Sequence, residues 1–63
     1  MMPRYRVEMN VWRAGVSALA VATLDAETPA EACQAAAESI RRERGLAPGA
    51  LSLRQVIVER RRQ

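Results

Sequence analysis

From Arg4 to Trp12 the chain alternates, with Tyr5, Val7, Met9 and Val11 on one side and Arg4, Arg6, Glu8, Asn10 and Trp12 on the other. That period of two marks a strand with one face buried. Arg13, Ala14 and Gly15 read as a three-residue hairpin loop with glycine in the left-handed position, after which Val16 to Leu24 returns as a second strand. At Thr28 the period changes. Cys33, Ala36, Ala37 and Ile40, with Ala30 and Ala32 beside them, recur at helical spacing, while Glu31, Glu38, Arg41, Arg42 and Glu43 take the other side. The helix, 29–44, is punctuated at both ends. Thr28 and Glu31 form a capping box, Pro29 occupies the first helical position, and Gly45 suits the left-handed residue after the last turn, with Leu46 placed to fold back on Ile40. Ala47, Pro48, Gly49 and Ala50 then turn the chain into a third strand over 51–59.

The helix stripe is mostly alanine, so little area is buried per residue and the helix must lie close on something flat that supplies the bulk. Strand, strand, helix, strand is therefore expected to give an α+β domain. A crossover from the second strand to the third makes those two parallel, and the first strand between them gives a three-stranded antiparallel/mixed sheet of order 2-1-3 with the helix on one face.

Faces follow from register. A three-residue loop pairs Trp12 with Val16, which sets Val11 opposite Ser17, Met9 opposite Leu19 and Val7 opposite Val21, so the large apolar residues share the core face. In the last strand Leu51, Leu53 and Ile57 join the core, with Gln55 near an edge, unless a bulge reverses the assignment. The outer face then carries Ala18, Ala20, Ala22, Val56 and Val58 as an apolar strip rimmed by Arg4, Arg6 and Arg54. Free monomers seldom expose such a strip, so a second copy or a partner protein is expected to cover it.

Sixty-three residues make one domain, near the lower limit at which a core alone sustains folding. The single cysteine excludes an internal disulfide, and the absence of histidine removes the commonest general base and metal ligand together. Cys33 has no base to activate it and reads as a small buried hydrophobe, Tyr5 as packing. The carboxylates do not converge. No enzymatic activity, cofactor or metal is expected.

All ten basic residues are arginine, yet positions 1 to 59 hold seven arginines against seven acids, so the net charge of +3 comes from Arg60, Arg61 and Arg62, a solvated tail. Arg13, Arg41, Arg42 and Arg44 gather at the end with the hairpin loop; Arg4, Arg6 and the tail gather at the other, near Asp25, Glu27 and Glu31. Two readings of Arg41, Arg42 and Arg44 stand. They complement the helix macrodipole and pair with Glu38, or with Arg13 they form a basic knob for phosphates or an acidic protein surface, with Trp12 stacking on a base or entering a pocket. The arginine-flanked run Ala14 to Leu24 is too short to span a bilayer and too alanine-diluted for a signal peptide, so a cytoplasmic protein with no membrane partner is expected.

A hairpin whose second strand runs through Ala22 to Ala32, ATLDAETPAEA, into a helix followed by one strand resembles small ββαβ proteins of phages and mobile elements, some anti-CRISPR proteins among them. The resemblance is one of element order and carries no residue roles. It implies a phage-encoded inhibitor in a bacterial host, acting by contact with a larger protein or nucleoprotein complex. The alternatives are direct nucleic-acid binding through the arginine clusters and a structural homodimer.

Overall fold

In the computed structural model, which describes residues 2–59, the hairpin is built from β1 (Arg4–Arg13) and β2 (Val16–Asp25). The helix α1 (Pro29–Arg44), one 3-10 turn (Pro48–Ala50) and β3 (Leu51–Glu59) follow. The sheet has the order β2-β1-β3, and β1 is antiparallel to both neighbours. This is the expected α+β arrangement. The tail Arg60–Arg62 lies outside the described residues.

Both helix caps form as the sequence expects. The Thr28 hydroxyl oxygen accepts from the Glu31 N–H at 3.2 Å, and Gly45 sits at φ 61° while the Leu46 N–H donates to the Arg41 carbonyl at 3.0 Å. Leu46 packs against the core cluster that contains Ile40.

The hairpin turn corrects the expected register. Ala14 and Gly15 both take positive φ, 52° and 77°, so the loop has two residues rather than three and Arg13 pairs with Val16. Such a turn has the twist of the strands it joins, which is why short hairpins favour it. One residue of slip turns every β2 side chain over. Val7 now faces Ala22, Met9 faces Ala20 and Val11 faces Ala18, whereas Leu19 and Val21 point to the face opposite the helix. The bulk beneath α1 comes from β1, with Tyr5, Val7, Met9 and Val11 all buried against Ala32, Ala36 and Ile40. Alanines on β2 leave the alanine-striped helix room to descend onto that central strand.

In β3 the ladder shifts between Glu8 and Met9: Glu8 faces Gln55 and Met9 faces Leu53, leaving Arg54 as the extra residue of a bulge. Leu51 and Leu53 therefore share the helix side with Val11 and Met9. Beyond the bulge Val56 and Val58 face Val7 and Tyr5 on that same side, and Ile57 faces Arg6 on the other.

Candidate protein-binding face

The apolar strip expected on the outer face is not there. Ala20 is buried and Ala22 half-buried under the helix, Ala18 is exposed on the helix side of the hairpin tip, and Val56 packs on the core with Val58 at its margin. Both corrections, the two-residue turn and the bulge, move small residues inward and larger ones outward. Trp12, Leu19, Val21 and Ile57 are the large apolar side chains left on the uncovered face, each between 39% and 52% exposed. The covering helix lies entirely on the other side.

Glu8 sits among them on the central strand. Val21 flanks it across one ladder and Gln55 across the other, and it is only 4% exposed although no helix covers this face. Its carboxylate accepts from the Gln55 amide at 2.7 Å and from the Arg6 guanidinium at 2.8 Å, and the bulge holds Arg54 at 3.8 Å. The Gln55 hydrogen bond does most to hold the carboxyl below the usual glutamate range; burial opposes it, and Arg6 and Arg54 add to the lowering. A buried carboxylate is tolerated only when so partnered. Two guanidiniums against one carboxylate leave the cluster cationic. Arg4 at the end of the face is paired with Asp25 at 3.1 Å.

Arg13 at the hairpin tip does meet the helix C-terminus. Arg13 donates to the Arg44 carbonyl at 3.3 Å, and Arg42 pairs with Glu38 at 3.3 Å one turn back. Cations there complement the macrodipole. Between hairpin and helix lies a shallow, mostly apolar cleft of about 320 Å³ lined by Val11, Val16, Leu46 and the two arginines Arg13 and Arg44 among others. Trp12 lies on the opposite face of β1 from Arg13, so the tryptophan and the arginines Arg13, Arg41, Arg42 and Arg44 do not make one platform.

Cys33 is half-buried on α1 against the core, and Tyr5 is buried within it. Among the described residues no group of metal-ligating side chains converges, and no helix is long and apolar enough to cross a membrane. Glu8, Gln55, Leu19, Val21 and Ile57 are the site residues that the alternation alone misses. Reading Ala14-Gly15 as a two-residue turn is the signal that finds Leu19 and Val21.

Comparison with protein-family models, with curated proteins and with solved structures finds no match.

Proposed function

We propose that this chain is a non-enzymatic binding protein that docks the outer face of its sheet on a larger protein or nucleoprotein complex and inhibits it by contact. The observation that carries this reading is the uncovered group of Trp12, Leu19, Val21 and Ile57 around a cationic cluster already held in place by Glu8. Apolar anchors, a tryptophan and arginines are the residue types that dominate binding energy at protein interfaces. Inhibition by contact is the mode that the element order resembles in small phage proteins, and a bacterial cytoplasm is the setting that goes with this reading. The lack of histidine and the base-free setting of Cys33 support a role without catalysis.

Capture from a bacterial lysate tests the face rather than mere stickiness when variants are run beside the parent. A partner recovered by the tagged chain is expected to be lost with Trp12→Ala and Ile57→Glu and kept with Arg41→Ala and Arg42→Ala. Recovery that is indifferent to Trp12 and Ile57, or that depends on Arg41 and Arg42 and falls steeply with salt, overturns the reading in favour of phosphate contact.

A further inference from the structure

Among the described residues β2 is a free edge of the sheet, and its residues divide into two sets. The two-residue loop makes Arg13 and Val16 a hydrogen-bonded pair, and such pairs recur at every second position. The series continues past the strand, where the Ala26 N–H donates to the Pro3 carbonyl at 3.1 Å. Val16, Ala18, Ala20, Ala22 and Leu24 are thereby committed to β1. The N–H and C=O groups of Ser17, Leu19, Val21 and Thr23 point away from the sheet.

Proteins blunt such edges with charges, prolines or bulges. The other edge has two of these devices, the bulge in β3 and Arg54 within it. From Val16 to Leu24 there is no charge and no proline, and the ladder to β1 is unbroken.

The strand's own sequence says what fits beside it. Read outward from Ala20, Val16-Ser-Ala-Leu-Ala-Val-Ala-Thr-Leu24 is symmetric in size and polarity: Leu19 answers Val21, Ala18 answers Ala22, Ser17 answers Thr23, Val16 answers Leu24. An antiparallel copy centred on Ala20 sets each residue against its counterpart. Every outward N–H and C=O then meets a partner, hydroxyl faces hydroxyl, and β-branched or branched side chains meet across the centre. Centring on Val21 instead sets Leu19 against Thr23 and Ser17 against Asp25, which mixes polar with apolar. The helices also fit. The two β1 strands lie three strand spacings apart, about 14 Å, and a helix over each needs about 10–12 Å.

We propose that two copies of this chain pair through β2, antiparallel about a two-fold axis at Ala20, into one continuous six-stranded sheet with both helices on one face. The pairing rests on the edge alone and stands or falls apart from the partner-binding reading.

Hydrogen exchange of the unaltered protein, followed residue by residue by NMR alongside sedimentation, is the test. The amides of Ser17, Leu19, Val21 and Thr23 are expected to exchange at least about tenfold more slowly than open-edge amides, in a species of twice the 7.0 kDa chain mass. Val21→Pro removes only an outward N–H and is expected to return the mass to 7.0 kDa with the circular dichroism of a folded chain. Should that variant unfold, Leu19→Lys, which sets a charge opposite Val21 of the second copy, is expected to give the same folded monomer. A monomer at millimolar concentration, open-edge exchange at those four amides, or a dimer dissolved by Ile57→Glu and indifferent to Leu19→Lys overturns the proposal.

Discussion

Glu8 and Gln55 face each other across the β1–β3 ladder, the Gln55 amide donating to the Glu8 carboxylate at 2.7 Å, one residue from the point where the bulge sets in. The bulge and the buried carboxylate therefore support one another. Arg54, the extra residue, is within 3.8 Å of the same carboxylate, and Arg6 holds its other oxygen.

This cluster makes stability pH-dependent in a stated direction. The folded carboxyl titrates below its unfolded value, first because of Gln55. Its contribution is thus present in full above the ordinary glutamate pKa of about 4.3 and is lost as the pH falls from there through the lower folded value. Urea unfolding of the parent and of Glu8→Gln across acid pH checks this. The parent is expected to lose its advantage over the variant as the pH falls, and curves separated by a constant gap speak against the cluster.

The hairpin turn carries a correctable strain. Ala14 at φ 52° occupies a region that costs a side-chain-bearing residue roughly 1 kcal/mol, and asparagine accepts it more readily. Ala14→Asn, giving the Asn-Gly pair that two-residue turns prefer, is expected to raise stability by about 0.5–1 kcal/mol in denaturant unfolding. A loss of stability would mean that the turn is of another kind.

Each helix cap is open to a similar test. Thr28→Ala removes the acceptor for the Glu31 N–H and is expected to cost about 1 kcal/mol. Gly45→Ala meets no neighbouring atom but must hold φ 61°, so it is expected to cost about as much through backbone strain alone. Thermal melts of the two variants should lie close together.

The sequence was legible where period and punctuation agree. Thr28, Pro29, Glu31 and Gly45 place α1 to the residue, and the strict alternation of Tyr5, Val7, Met9 and Val11 places the face of β1. β2 was not legible in this way because both of its faces are apolar: alanines and Leu24 lie on one, Leu19 and Val21 on the other. Where the pattern is indifferent, the turn decides, and a single glycine at Gly15 serves two-residue and three-residue loops alike. The bulge at Arg54 leaves no periodic trace, so Val56, Ile57 and Val58 could be placed only as alternatives. Glu8 could not be read as buried from β1 alone, since its shelter is assembled from Arg6, Val21, Gln55 and a shifted ladder.

The register of β2 decides which residues leave the core, and two neighbouring substitutions test it most directly. Ala20→Glu and Leu19→Glu introduce the same charge one residue apart. Ala20 is 3% exposed beneath α1, so its replacement buries an unpaired carboxylate, a cost of several kcal/mol against a total stability of roughly 5 kcal/mol in so small a domain. Leu19 is 52% exposed beside Asn10, where a carboxylate stays in water. Circular dichroism with thermal unfolding is expected to show Leu19→Glu folded and cooperative and Ala20→Glu without a folded baseline. A folded Ala20→Glu beside an unfolded Leu19→Glu would put the hairpin in the other register and return the large residues to the core.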